Sequence, residues 1–123
     1  MNAGKIIGGI IVLVGAVFMV IQTFKNVSEF GYAPWLVNLA FSLVAVIGGI
    51  FGMAGQKGAA ILAVIAGVLI IFFGLASVML PDYRFWQYSL IADTFGGARL
   101  QGITIEGFLI VAGGIEMTLV PGD

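Results

Sequence analysis

The stretch ITIEGFLIVAGGIEMTLVPGD, residues 103–123, decides what kind of fold this chain can form. It is apolar and punctuated by glycine, yet it carries two carboxylates, Glu106 and Glu116. A charged side chain is costly in hydrocarbon unless it has a partner, a proton or a route to water. Whether this segment crosses a membrane therefore depends on the character of the rest of the sequence.

The composition is that of a membrane protein. The chain has 123 residues, of which 61% are hydrophobic and 9% are charged, whereas a soluble domain is about 25% charged. The mean hydropathy is +1.18. A chain this short has a large surface for its volume, so a water-soluble fold could not bury so much apolar area. We expect an all-α integral membrane protein.

Four apolar runs are long enough to cross about 30 Å of hydrocarbon, which takes roughly 20 residues. They predict four transmembrane helices in a small bundle, at about 6–24, 34–53, 58–80 and 103–120. The runs are continuously apolar rather than alternating, which favours helices over a barrel. We expect a single membrane domain over 1–123. The first run is expected to remain as a span, because no signal-peptide cleavage site follows it.

Four spans would place both termini on one side of the membrane. Aromatic residues typical of membrane–water boundaries are concentrated on the other side, in and beside the loops. We predict that these aromatic residues anchor the chain at the interface and, with one arginine, form a docking site. The residues are Tyr32, Trp35, Tyr83, Arg84, Trp86 and Tyr88. Because the acids of the long loop offset its arginines, we expect the termini in the cytoplasm and the chain in the cell membrane.

The third loop, 81–102, has a mixed polar and apolar character. Phe85, Tyr88, Ile91/Ala92 and Phe95 fall on one face of a helix, and the following glycines would end it. This pattern predicts a short amphipathic helix lying in the interface. An irregular loop with aromatic anchors is the alternative. In either form, the segment is the best candidate for a docking surface.

The chain contains 19 glycines, well above the usual share of about 7%. Several recur four or seven residues apart, spacings that place them on one face of a helix. In lipid, such faces allow backbones to approach closely. The predicted helix-packing residues are Gly8, Gly15, Gly48, Gly52, Gly67, Gly74, Gly107 and Gly114. These faces could close the bundle itself or receive a partner, and the spacing does not distinguish the two.

The two halves of the chain resemble each other. Residues 5–20 align with 57–72, and residues 46–53 align with 111–118, with the Gly-Gly-Ile triplets in step. This indicates a duplicated helical hairpin, a design known in membrane proteins. Chance similarity between glycine-rich apolar helices is the alternative.

Three polar residues in the predicted spans are candidates for an intramembrane polar or ion site: Glu116, Glu106 and Asn38. The two glutamates lie ten residues apart, about 15 Å along a helix and on different faces, so they do not form a paired site. Each is about one turn from an end of its span, so we expect its head to reach water or headgroups. Glu116 could bind an ion or proton, could pair with Lys5 or Lys57, or could be simply interfacial.

The absence of Cys and His removes thiolate chemistry, imidazole metal ligands and His-ligated haem. A net charge of −1 offers no basic footprint for nucleic acid. We expect no catalytic residue, no metal and no cofactor other than bound lipid. The expected function is a non-catalytic accessory or structural subunit of a larger membrane protein complex, with other membrane subunits and lipid as partners. The alternatives are a self-assembling protein that forms a ring, filament or envelope lattice from copies of itself, and an ion-coupling or small transporter subunit that uses Glu116.

Overall fold

The computed structural model describes residues 3–30, 34–79, 89–96 and 104–120, and these residues are helical apart from short turns and ends. The main helices are α1 (Ala3–Phe30), α2 (Pro34–Met53), α3 (Lys57–Met79) and α4 (Ile105–Leu119). A short helix (90–96) precedes α4, and its last five residues, Ala92–Gly96, form a π-helical turn. The prediction of an all-helical chain is confirmed for the described residues.

Three helices are long and apolar enough to cross a membrane, over Ala3–Phe24, Leu36–Met53 and Lys57–Ala76. They indicate a membrane protein. The fourth helix has 15 residues, about 22 Å at 1.5 Å per residue, and is shorter than the predicted span at 103–120. Conversely, α1 continues past its predicted end at 24 to Phe30, through a polar stretch whose lysine and glutamate are good helix formers.

The four main helices pack as a square. Helices α1 and α3 each contact both α2 and α4, so neighbours in the chain are neighbours in space and α1 lies beside α4. We call the end where α1 begins and α4 ends the termini-side end, and the opposite end the loop-side end. The buried core along the axis consists of Val12, Ala16, Met19, Ala45, Ala60, Ala63, Ala66, Ile70, Ile110 and Met117.

Pairs of adjacent glycines lie at the corners of this square. Gly8 faces α4 at Gly113, whereas Gly9 faces α2 at Met53. In α2 and α4, likewise, Gly48 and Gly114 face α3, whereas Gly49 and Gly113 face α1. Successive helical residues point about 100° apart, close to the right angle between the two neighbours of a helix in a square. A doublet of small residues therefore lets one helix approach both neighbours at the same level.

The eight predicted packing glycines are all buried. A Cβ placed on any of them except Gly74 would lie 2.7–3.0 Å from an atom of another helix of the same chain. These glycines are thus used inside the bundle. The outward faces carry large side chains instead, among them Ile10, Val17, Ile47, Ile50, Ile65, Phe72 and Phe108.

The contacts of the two hairpins correspond where the sequence halves align. Gly49 packs on Val12 in the first hairpin, and Gly114 packs on Val64 in the second. Gly49 aligns with Gly114, and Val12 aligns with Val64. The similarity of the two halves therefore extends from the amino-acid sequence to equivalent helix contacts, as a duplicated hairpin would require.

A tight turn joins the two hairpins. Gly55 adopts φ +107°, a conformation that glycine enters without steric cost, and Gly55 and Gln56 donate backbone hydrogen bonds to Gly52 and Phe51 at 3.1 and 3.0 Å. This arrangement satisfies the last carbonyls of α2 in the manner of a glycine C-cap. Only three residues, 54–56, separate α2 from α3.

Candidate functional site

Buried polar side chains are concentrated toward the loop-side end. Seven of them are at most 2% exposed, and we call them the polar cluster: Gln22, Thr23, Asn38, Ser42, Ser89, Thr104 and Glu106. The position of these residues along the bundle axis follows from the register of the helices. Because Gly49 packs on Val12 and Gly15 packs on Glu106, the second half of α1 lies level with the starts of α2 and α4. The interior is thus polar toward one end and lined by glycine and alanine toward the other.

The centre of the polar cluster is the carboxylate of Glu106. The Ser89 hydroxyl donates to Glu106 Oε1 at 2.7 Å, and the Leu90 backbone N–H donates to Oε2 at 2.7 Å. The Ser89 oxygen in turn accepts the backbone N–H groups of Ala92 at 3.1 Å and Ile105 at 3.3 Å. One carboxylate and one hydroxyl thereby join the starts of the short helix and of α4.

These partners explain how a carboxylate can be buried here. Glu106 lies in the first turn of α4, where the free N–H groups and the helix dipole favour negative charge. Both of its oxygens accept from donors, and the Ser89 oxygen already accepts two N–H groups. The Ser89 oxygen, which accepts two N–H groups, has no lone pair left for a cation. Ion binding at Glu106 itself stays a prediction.

The expectation that Glu106 extends to water is wrong, because its side chain is fully buried. The depth of Glu106 along α4 could be predicted from the sequence, but the folding of the short helix over this position could not. Gly15 contributes to the enclosure, since a Cβ there would lie 2.7 Å from the Glu106 backbone oxygen. The absence of a side chain at residue 15 therefore lets α1 pass directly over the start of α4.

Two hydroxyls of the polar cluster, those of Thr23 and Ser42, bond within their own helices, whereas the buried Thr104 hydroxyl has no partner among the described residues. Thr23 donates to the Met19 carbonyl at 2.8 Å, and Ser42 donates to the Asn38 carbonyl at 2.7 Å. Such bonds to the preceding turn are a usual way to bury a hydroxyl in a helix. Asn38, the candidate polar-site residue of α2, is also buried.

Glu116 has a different environment. It is half-buried, and its Oε2 is buried without a hydrogen-bond partner. In the described part of the chain, no ion pair joins it to Lys5 or Lys57, so the direct pairing considered from sequence does not occur. Nor do the described residues contain a group of three or more acidic, His or Cys side chains that could hold a metal ion. Ion binding at Glu116 and Asn38 stays a prediction.

The short helix covers the last part of the predicted amphipathic segment, and its position in a membrane interface stays a prediction. Ala92 is buried, whereas Phe95 is 77% exposed and its ring meets that of Phe18 edge-on at 6.4 Å. The π-helical turn widens the spacing between residues, so side chains predicted to share a face separate. Trp35 lies in the first turn of α2. The remaining predicted anchors, Tyr32, Tyr83, Arg84, Trp86 and Tyr88, lie outside the described residues.

Ser89 is the functional residue that sequence reasoning missed. A serine before a helical segment is a recognised N-cap signal, with its oxygen accepting an N–H three residues on, and Ser89 does this for Ala92. That half of its role could have been read from the sequence. Its bond to Glu106 could not, because 17 residues separate them and no local spacing rule connects them.

The chain has no significant match among protein-family models, curated proteins or solved structures.

Proposed function

We propose that this chain is a small, non-catalytic accessory subunit of a larger membrane protein complex. The observation that supports this most is the Ser89–Glu106 pair, which holds the short helix at the bundle end and leaves Phe95 exposed. A buried carboxylate that is satisfied by the chain's own donors serves as a fixed structural element. An aromatic side chain held on such a support is typical of the anchors of protein contacts.

The outer surface favours the same function. The packing glycines lie between helices of one chain, so a partner would meet large aliphatic and aromatic side chains. Beside Phe95 runs an apolar groove on α1, lined by Ile10, Leu13, Val14, Val17 and Phe18. Phe18, at the loop-side end of this groove, carries the ring that contacts Phe95. We therefore place the partner contact on α1 and the short helix.

The proposal includes four membrane spans with cytoplasmic termini in the cell membrane. Helix α4 is short for a span, but it packs along both α1 and α3, which are long enough to cross. A short hydrophobic helix can cross where the bilayer thins locally around it. Its polar start would then lie at the loop-side boundary, shielded by the short helix.

A photo-crosslinking amino acid at position 95 tests the accessory function in native membranes. The matched control is position 72, where Phe72 is also exposed, on α3. We expect position 95 to crosslink a protein unlike this chain, and position 72 to crosslink mainly lipid. Crosslinks at 95 to identical copies would instead support the self-assembling alternative, and lipid adducts alone at 95 would contradict a docking role for Phe95.

A further inference from the structure

Two opposite charges lie near the termini-side end without partners. Lys5, in the first turns of α1, is 7% exposed and shares the buried face of α1 with Gly8 and Val12. Within the described residues, its ammonium has neither a hydrogen bond nor an ion pair. Glu116, near the end of α4, has one carboxylate oxygen that is buried and unpartnered.

The two side chains belong to helices in direct contact. A Cβ on Gly8, one turn after Lys5, would lie 2.8 Å from Met117 Cγ, and Met117 is the chain neighbour of Glu116. The charges nevertheless do not approach within the 4.0 Å of a direct ion pair. They therefore lie at one end of one helix pair, more than 4.0 Å apart.

The Lys5 ammonium is not among the fully buried, unpartnered atoms of the described residues, so it stays open to a ligand, whereas the buried Glu116 oxygen lacks the hydrogen bond that it needs. A ligand that satisfies both groups offers an anion to Lys5 and a cationic N–H donor to Glu116. The first N–H groups of α1 also favour an anion beside Lys5. Helix ends of a membrane protein lie in the headgroup region, where both charges occur together in a zwitterionic phospholipid that carries a primary ammonium.

We propose that Lys5 and Glu116 form a two-point site for such a headgroup, with the phosphate on Lys5 and the ammonium on Glu116. The site rests on the proposed membrane residence of the chain. Phosphatidylethanolamine meets the requirement. Phosphatidylcholine does not, because its quaternary ammonium has no N–H to donate to a carboxylate. Phosphatidylglycerol lacks the cation altogether.

The purified full chain in mild detergent tests the site by titration with phosphatidylethanolamine, its N-methylated forms and phosphatidylcholine. We expect phosphatidylethanolamine to raise the midpoint of thermal unfolding and to bind about tenfold more tightly than phosphatidylcholine, since one charge-assisted hydrogen bond is at stake. Glu116→Gln should abolish this preference, whereas Lys5→Gln should weaken the binding of both lipids, because Lys5 holds the phosphate that they share. Lys57→Gln, at an exposed lysine on the same end, should retain the preference.

Equal binding of the two lipids would overturn the proposal, as would a preference that survives Glu116→Gln or a lipid affinity that Lys5→Gln leaves unchanged. A shift produced equally by phosphatidylglycerol or by inorganic phosphate, and lost only in Lys5→Gln, would replace it with a simple anion site. A shift produced by Na⁺ and lost in Glu116→Gln would replace it with ion coupling. If the variants do not fold, the methylation series on the natural chain decides, because affinity must fall as N–H groups are removed. Retention of the chain in membranes, measured separately, distinguishes failure of this site from failure of membrane residence.

Discussion

Gly113 is the residue at which a side chain would conflict most directly with a neighbouring helix. A Cβ there would meet the Gly8 backbone oxygen and would lie 2.7 Å from Val12 Cγ2 and 2.9 Å from the Val12 backbone nitrogen. Backbone atoms cannot rotate away, so α1 and α4 would have to separate. We expect Gly113→Ala to lower the free energy of unfolding in detergent by about 1–3 kcal/mol.

Gly58 provides the control for this substitution. It lies in the first turn of α3, and nothing is found within 4 Å of a Cβ built on it. Gly58→Ala should be neutral or stabilising by up to about 1 kcal/mol, because alanine favours the helix. If both variants were equally stable, close backbone contact would not be what holds α1 to α4.

The Ser89–Glu106 pair makes a second prediction at the residue scale. Glu106→Gln replaces one acceptor oxygen with an N–H₂ group, and the Ser89 oxygen already accepts two N–H groups. At least one donor should lose its acceptor, at a cost of about 1–3 kcal/mol. Because Ser89→Ala removes the same interaction, the double variant should lose less than the sum of the single losses. Additive losses in a double-mutant cycle would show that the two side chains act independently.

At the scale of elements, α4 decides the topology, and cysteine labelling can establish whether it spans. The natural chain has no cysteine, so an introduced thiol is the only one. Ala54→Cys lies in the exposed turn after α2, and Thr94→Cys lies on the exposed side of the short helix. With four spans, an impermeant thiol reagent should reach these two positions from opposite sides of the membrane, and a C-terminal tag should lie on the side of residue 54. A tag on the side of residue 94 would mean that α4 does not cross.

The positions of the helices in the sequence could be predicted well. The contacts between the helices could be predicted only in part. Pro34 and the turn around Gly55 mark boundaries that local chemistry determines, and α2 begins and ends where the apolar run does. The predicted start of α4 differs by two residues, since Thr104, which precedes Ile105, is extended rather than helical. The burial of Glu106 could not be predicted, because it depends on a distant serine and on the fold of the loop between them. Similarly, glycine spacing indicated close packing but not that the partners were helices of the same chain.

For the whole molecule, the apolar outer surface leads to a direct prediction. Large hydrophobic side chains on the described outer faces are commonly 40–60% exposed, as at Ile7, Ile47 and Val68, and an aqueous surface of this kind would promote aggregation. The chain should therefore remain with membranes after extraction with alkaline carbonate and should require detergent to stay monodisperse. A stable monomer in detergent-free buffer would contradict membrane residence and the proposals that depend on it.

The three-residue turn between α2 and α3 also bears on how the protein is made. The link of residues 54–56 is too short to span from the ribosomal exit tunnel to the bilayer. One helix therefore cannot remain in the tunnel while the other occupies its final position in lipid. The second and third helices should consequently enter the bilayer during synthesis as one preformed hairpin. The glycine and alanine contacts between them, Gly48 with Ala59 and Ala63, would then form first. Helix α1, which is synthesised earlier, and α4, which is synthesised last, would pack onto this pair.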